Sequence, residues 1–178
     1  APMRDAFPRA ATAIVSTATH GIGEAPGQSS MELAVRASLL ALGRVGLKPA
    51  DVDGLFVCLP TDFFSGLGLA EYLGIHPRLT NNNRVGGSSF QTYVLWAALA
   101  LAAGQCDVAL IAYGSNQRAA GGKLVRSLLP SPYEAPYKAL VPASAYALAP
   151  SRHMHEFGTT RAPPRGRAEG HPEPGRVG

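Results

Sequence analysis

The sequence predicts an α/β fold in which a mixed, mainly parallel sheet is layered between helices. Three observations lead to this prediction. Residues 108–113 form a continuous apolar run of strand length, which is typical of a parallel strand buried on both faces. Residues 90–103 have a helical pattern that is apolar on nearly every side, so we expect a central helix that is buried all round. Other strand-like and helical segments alternate along the chain with short connections, as in βαβ units.

The first elements are predicted from local signals near the amino end. Residues 11–18 are apolar and rich in β-formers, and we expect a first buried strand there. Ser29 is followed three residues later by Glu32, which is the spacing of a capping box. A helix should therefore begin at this point and stop near Gly46.

The remaining elements are predicted from apolar patterns and from breaker residues. We expect strands at residues 54–59 and 78–83, with a short helix over residues 68–74 that its last glycine ends. Residues 141–157 have a helical pattern, but Pro150 lies inside it and should kink or split the helix.

The composition describes a globular chain with an unusual end. The 178 residues are 46% hydrophobic and 16% charged, enough for one domain with a core. We place that domain at residues 1–160. Residues 161–178 are rich in Pro, Gly and Arg, and we expect a disordered, non-native tail. The net charge of +4 comes partly from this tail, and no basic stripe interleaved with aromatics remains elsewhere. This distribution argues against a nucleic-acid partner.

The cysteines and the apolar runs indicate the cellular compartment in which we expect the protein. Cys58 and Cys106 lie in apolar, strand-like surroundings, which favours two core thiols in a reducing, cytoplasmic setting. The first residues do not have the pattern of a secretory signal. The longest apolar run, residues 94–104, is about half of what a membrane span needs. We therefore expect a cytoplasmic protein without a membrane span.

The most informative motif is the turn at residues 83–91, Asn-Arg-Val-Gly-Gly-Ser-Ser-Phe-Gln. It connects a predicted strand to the predicted central helix, whose amino end favours negative charge. We therefore take Gly86, Gly87 and Ser88 as candidate substrate-binding residues. Two other interpretations stay open: the glycines relieve crowding between strand, turn and helix, and the serines cap the helix.

This turn resembles the nucleophile turn of the thiolase superfamily. Five residues match the family pattern: Asn83, Arg84, Gly87, Ser88 and Gln91. The position of the family's acyl-accepting cysteine is occupied by Gly86. Further resemblances lie at residues 47–54, 103–110 and 112–118. Residues 136–137 and 144–160 are similar to the sterol-carrier or lipid-transfer type. The resemblance implies the N-terminal half of a layered thiolase-like fold.

The resemblance also implies a function. A thiolase-like acyltransferase of lipid metabolism makes or breaks a carbon–carbon bond beside an acyl-CoA thioester. Because the nucleophile is absent, retro-aldol cleavage of the kind used in steroid side-chain degradation is expected instead. Coenzyme A is then part of the substrate, with no separate cofactor and no metal. Tyr137, in a Pro-rich loop, is a further candidate substrate contact; the catalytic residues are unknown.

The expected partners follow from the same resemblance. They are a second copy in a homodimer, a full-length homologue, or a small OB-fold protein. We expect this chain to be inactive alone, as a truncated enzyme. The alternative is a non-catalytic binding or scaffold subunit that pairs with such a homologue or with the OB-fold protein. His153 and His155 are spaced i and i+2 on one helical segment, which is poor geometry for a shared metal.

Overall fold

The computed structural model describes residues 10–60, 62–119, 132–133, 135–137 and 143–160. These residues belong to two compact units, Ala1–Ser127 and Leu128–Gly178, which are described separately. The predicted tail at residues 161–178 lies outside the described residues. The domain boundary at residue 160 therefore stays a prediction.

The first unit is built on a parallel sheet of three strands. These are β1 (Gly54–Val57), β2 (Leu79–Asn81) and β3 (Ala109–Ala112), and their order is β2-β1-β3. Gly54 is in register with Leu79 on one side and with Ala109 on the other. Both described strand pairs run parallel, which confirms the predicted α/β class. The sheet is predicted to be mixed, and the described strands include no antiparallel member.

Three helices cover the two faces of this sheet. α1 (Ser30–Arg44) begins with the predicted capping box, in which Ser29 and Glu32 bond to each other's main-chain N–H. α2 (Ser65–Leu73) ends at Gly74, which has a left-handed φ of 65°. α1 and α2 pack on one face and α3 (Ser89–Ala102) on the other, so the unit has three layers.

The alternation of side chains along β3 separates two apolar clusters. Leu110 and Ala112 belong to the cluster under α1 and α2. Ala109 and Ile111 pack with Tyr93 in the cluster under α3. Both faces of the strand are therefore covered, as its continuous apolar run predicted.

The prediction of a first strand at residues 11–18 is wrong. This segment forms no strand in the described structure, and Ile14 and Val15 are 73% and 70% exposed. It is attached to α1 instead, where the Ser16 hydroxyl donates to the Ala41 carbonyl at 2.7 Å and Arg44 donates to the Thr17 carbonyl. A strand needs a neighbour for its main-chain groups, and the described residues supply none here.

The prediction that the central helix is buried all round is also wrong. The buried residues of α3 are Ser89, Tyr93, Ala97 and Ala100. Val94, Leu95 and Trp96 are each more than 40% exposed. The helix contacts the sheet on one face, and these three side chains lie on a part of its surface that stays exposed. No helix in the described parts of the chain is long and apolar enough to cross a membrane.

The second unit contains a short 3-10 helix, Ala135–Tyr137, and the helix α4 (Ala143–Phe157). α4 continues through Pro150, so the predicted split of this helix is wrong. Pro150 has no N–H to donate to the Tyr146 carbonyl. Because Tyr146 is exposed, water can donate to that carbonyl instead. The next turn is supported by the Ser151 hydroxyl, which donates to the Ala147 carbonyl at 2.8 Å.

Candidate functional site

The carboxyl ends of the three parallel strands meet at one edge of the sheet, here called the carboxyl edge. Ligands of open α/β sheets bind at this edge, because the loops that follow the strands converge there. Cys58 follows β1, the turn at residues 83–91 follows β2, and Tyr113 and Gly114 follow β3. The turn at residues 83–91 therefore lies at the edge of the sheet where a ligand site is expected.

The turn after β2 is held in shape by a buried serine. The Ser89 hydroxyl accepts from the Val85 N–H at 3.0 Å and donates to the Gly86 carbonyl at 2.8 Å. Gly86 has a left-handed φ of +71°, a conformation that side chains other than glycine's disfavour. A Cβ added to Gly86 or Gly87 would have no atom within 4 Å. Crowding is therefore not the reason for these glycines, whereas backbone conformation requires Gly86.

The exposed side of the turn faces solvent at the amino end of α3. Gly86, Gly87 and Ser88 are all exposed. Ser88 occupies the N-cap position, yet its side chain makes no capping hydrogen bond. The N–H groups of the first turn of a helix have no partner within the helix, and they favour negative charge. This arrangement suits an oxyanion or an enolate.

Arg84 ties this turn to the loop after β1. Its guanidinium donates to the Leu59 carbonyl at 2.6 Å and also to the Asp62 carbonyl. Ser65 supports the same loop, because its hydroxyl accepts from the Leu59 N–H at 2.9 Å and donates to the Asp62 carbonyl at 2.7 Å. Hydrogen bonds from Arg84 to main-chain carbonyls thus hold the turn after β2 against the loop after β1.

Tyr93, on α3, links the end of β1 to the turn that follows β2. Its side chain is fully buried, and its hydroxyl donates to the Asn83 carbonyl at 2.6 Å and lies 3.2 Å from the Val57 carbonyl. Burial, with a smaller contribution from Cys58, raises the pKa of Tyr93 to about 12. The phenol therefore keeps its proton at neutral pH and positions the turn rather than acting as a base.

Sequence reasoning missed the contacts of Arg84 and Tyr93. In the sequence, Arg84 is notable only as a match to a family pattern. The available signal for Tyr93 was a phenol inside an otherwise apolar helical pattern, since a buried Tyr hydroxyl usually finds a hydrogen-bond partner. Tyr137 lies in the second unit and is 83% exposed, so its contact with substrate stays a prediction, as do the roles of Gly86, Gly87 and Ser88.

The opposite edge of the sheet, here called the amino edge, carries a cluster of charges. Asp53 accepts from the Asp107 and Val108 N–H groups, each at 2.9 Å, and Arg78 bonds to both Asp53 and Asp107. Although burial acts to raise it, the hydrogen bonds from Val108, Arg78 and Asp107 hold the pKa of Asp53 below its usual range. This cluster joins β1 to β3 and is remote from the turn.

Comparison with known proteins points to enzymes that cleave carbon–carbon bonds, although no protein-family model matches the chain. The chain is 32% identical over 162 residues to a steroid side-chain-cleaving aldolase of Thermomonospora curvata, covering 84% of this chain and 41% of that protein. It is 30% identical over 160 residues to a 17-hydroxy-3-oxo-4-pregnene-20-carboxyl-CoA lyase of Mycobacterium tuberculosis, covering 83% and 41%. A solved chain of an Ltp2-ChsH2(DUF35) aldolase superposes with a TM-score of 0.58 at 31% identity, covering 82% of this chain and 39% of that one.

These relatives correct the assignment to the thiolase superfamily. They are named as aldolases and a lyase, not as thiolases, so the assignment drawn from the turn at residues 83–91 is wrong. The acyltransferase and lipid-transfer functions that the assignment implied have no support among them. The chain spans 41% of the length of each curated relative, which is less than half.

Proposed function

We propose that this chain supplies the enolate-binding turn of an aldolase that cleaves a carbon–carbon bond beside the thioester of a steroid side-chain acyl-CoA. The observation that carries the proposal is the similarity to two such enzymes over more than four fifths of the chain. The turn supports it, because its exposed residues lie at the amino end of α3, which favours negative charge.

Retro-aldol cleavage needs no covalent acyl intermediate. A base removes the proton of a hydroxyl group that is β to the thioester, and the carbon–oxygen bond becomes a carbonyl. The carbon–carbon bond breaks, and its electron pair forms the enolate of the shortened acyl-CoA, which then takes up a proton. Stabilisation of the developing enolate oxygen is the main electrostatic demand of this step. Coenzyme A takes part only as a portion of the substrate.

The residues of the turn match this demand. The Ser89 N–H already donates to the Gly86 carbonyl at 3.1 Å. The other first-turn N–H groups of α3 and the Ser88 hydroxyl, which makes no capping hydrogen bond, would hold the enolate oxygen beside Gly86 and Gly87. Ser89, Arg84 and Tyr93 would keep the turn in place, since all three bond to main-chain groups around it. Among the described side chains, none bonded around the turn is suited to act as the base, which we leave unassigned.

The test uses 17-hydroxy-3-oxo-4-pregnene-20-carboxyl-CoA as the probe. Its binding to the chain is measured by calorimetry, and its cleavage by mass spectrometry, with and without a ChsH2(DUF35) protein. We expect binding that Gly86→Val weakens, because a branched side chain disfavours the left-handed turn. Gly43→Val, at an exposed helical glycine outside the turn, is the control for general damage. If the chain neither binds nor cleaves the thioester with the partner present, the proposal is wrong.

A non-catalytic binding subunit is the second candidate. The observation that favours it is that the described side chains bonded around the turn, Arg84, Ser89 and Tyr93, include no carboxylate and no histidine. This candidate predicts a stable complex with a ChsH2(DUF35) protein or with a longer homologue, and no turnover in that complex. Turnover that depends on Gly86 would exclude it.

A further inference from the structure

An exposed pair of aromatic rings lies in the loop that follows β1. Phe63 and Phe64, here called the ring pair, are 74% and 64% exposed. Their ring centroids are 5.0 Å apart, and the rings meet edge to face at 90°. Leu67, in the first turn of α2, is 63% exposed as well. Large apolar side chains that are exposed side by side, rather than singly, indicate a surface that binds an apolar ligand.

The loop that carries the ring pair is bonded to residues next to the candidate site. β1 and β2 are neighbours in the sheet, so the loop after β1 and the turn after β2 leave the carboxyl edge side by side. The Asn82 side-chain amide donates to the Phe63 carbonyl at 3.3 Å, and the Arg84 guanidinium donates to the Asp62 carbonyl. These two hydrogen bonds fix the position of the ring pair relative to the turn at residues 83–91.

The main chain at the ring pair is also ordered by its own loop. The Phe64 N–H donates to the Asp62 carboxylate at 2.9 Å. The buried Ser65 hydroxyl accepts from the Leu59 N–H and donates to the Asp62 carbonyl. All of these bonds use main-chain groups and polar side chains, so both rings stay available to a ligand. A surface that is ordered before binding loses less entropy when a ligand binds to it.

The ring pair is close enough to the turn to contact a substrate whose thioester is bound there. Arg84 is two residues from Gly86, so their Cα atoms are at most about 7 Å apart. The Arg84 side chain itself reaches the loop of the ring pair. An acyl group that extends from the turn towards the loop after β1 would therefore cover these rings. The phosphates of coenzyme A are charged and hydrated, and two phenylalanine rings do not suit them.

We propose that the ring pair binds the polycyclic hydrocarbon part of the acyl group and selects it over short acyl groups. This inference rests on the proposed aldolase function and deepens it, because it assigns a surface to the steroid portion of the substrate. The driving force is the burial of apolar area on both partners, which is large for two phenylalanine side chains. The reacting carbon–carbon bond lies at the turn, and the ring pair takes no part in the chemical step.

The first test compares two thioesters that share coenzyme A and a β-hydroxyacyl group. 17-hydroxy-3-oxo-4-pregnene-20-carboxyl-CoA carries a steroid ring system, whereas β-hydroxybutanoyl-CoA carries none. Calorimetry measures the binding of both to the chain and to the double variant Phe63→Ala/Phe64→Ala. The dissociation constant of the steroid thioester should rise at least about tenfold in the variant, because two large apolar contacts are lost. That of β-hydroxybutanoyl-CoA should stay the same.

A matched control comes from the other end of α2. Tyr72 is 58% exposed in the last turn of this helix. It lies about 10 Å further along the helix than Ser65, away from the carboxyl edge. Tyr72→Ala removes an exposed aromatic ring of similar size and should leave the affinity for both thioesters unchanged. Urea unfolding of all variants should give the midpoint of the unsubstituted chain, since each lost ring is exposed.

Four results would overturn the proposal. Equal weakening of both thioesters would place the ring pair against coenzyme A, and unchanged steroid affinity would show that the rings contact no substrate. A dimer that dissociates in the double variant, with steroid affinity unchanged, would identify a contact between two copies. If the unsubstituted chain binds neither thioester, the proposed function fails together with this inference. If it binds the steroid thioester regardless of the ring pair, only this inference is wrong.

The second test detects the contact directly by NMR. In a complex saturated with the steroid thioester, we expect intermolecular nuclear Overhauser effects between the methyl groups of the steroid rings and the ring protons of Phe63 and Phe64. Spectra of the two single variants, Phe63→Ala and Phe64→Ala, assign the signals to each ring. A saturated complex without these effects would contradict the proposal.

Discussion

The two edges of the sheet are stabilised in different ways. At the amino edge, Asp53 takes hydrogen bonds from two main-chain N–H groups and from Arg78, and Cys106 is buried against Gly54. At the carboxyl edge, buried Ser89 and Tyr93 hold a turn whose outer residues are exposed. The amino edge uses its polar groups to join strands, whereas the carboxyl edge leaves a helix amino end open to solvent. A site that binds an anion needs an exposed helix amino end, as the carboxyl edge has.

The largest effect is expected where the carboxyl edge meets α1. A Cβ on Gly114 would overlap the Ser30 carbonyl, which belongs to backbone and cannot easily move. Gly114→Ala should therefore lower the free energy of unfolding by about 3 kcal/mol. Gly43→Ala, in a helix with open space around it, should raise that energy by about 0.5–1 kcal/mol. Urea unfolding of both variants measures the difference, and similar midpoints would show that the close approach at Gly114 is not rigid.

Asp53→Asn should weaken the amino edge by about 1–2 kcal/mol, because hydrogen bonds to a charged acceptor become neutral ones. The pKa of Asp53 is lowered in the folded state, so its stabilising effect is complete above the unfolded value of about 3.9. That effect is lost as the pH falls through the lower folded value. The difference between the two proteins should accordingly shrink in unfolding experiments below about pH 4. A difference that is constant between pH 3 and pH 7 would contradict this role.

Gly86→Ala tests the conformation of the turn. The added methyl has space, but the left-handed backbone should cost about 1 kcal/mol in unfolding free energy. Gly87→Ala adds the same methyl, also in open space, and Gly87 is not among the residues with positive φ. It should change stability by less than about 0.5 kcal/mol. Equal losses of unfolding free energy in the two variants would show that the positive φ of Gly86 is not what requires glycine in the turn.

Thiol labelling compares the edges without any substitution. Cys106 is 1% exposed at the amino edge, and burial raises the pKa of its thiol. Cys58 is half-buried at the carboxyl edge. With an aromatic disulfide reagent at pH 8, one thiol should react in the folded chain and the second only on unfolding. Peptide mapping identifies which cysteine is labelled first, and early labelling of Cys106 would show that the amino edge opens.

The accuracy of the sequence predictions depended on how local each signal was. The start of α1 was predicted because Ser29 and Glu32 bond to each other within one turn. Residues 11–18 were predicted wrongly because a strand depends on a neighbour that no local pattern reveals. The contacts of Asp53 with residues more than fifty positions away had no local signal at all. At the turn, the glycines were noticed from sequence, but only the backbone angle of Gly86 showed what requires one of them.

The buried phenol of Tyr93 also sets an alkaline limit for the molecule. Since its pKa is raised to about 12, the stability that this group contributes is complete below the unfolded value of about 10 and is lost as the pH rises through the folded value. Ionisation would place a phenolate between the Val57 and Asn83 carbonyls, whose oxygens repel it. Base should therefore weaken the carboxyl edge through Tyr93, and acid should weaken the amino edge through Asp53. Because the chain has six tyrosines, the first event would be followed as the difference in tyrosinate absorbance between this chain and Tyr93→Phe. We expect the choice of pH to weaken one end of this small sheet without the other.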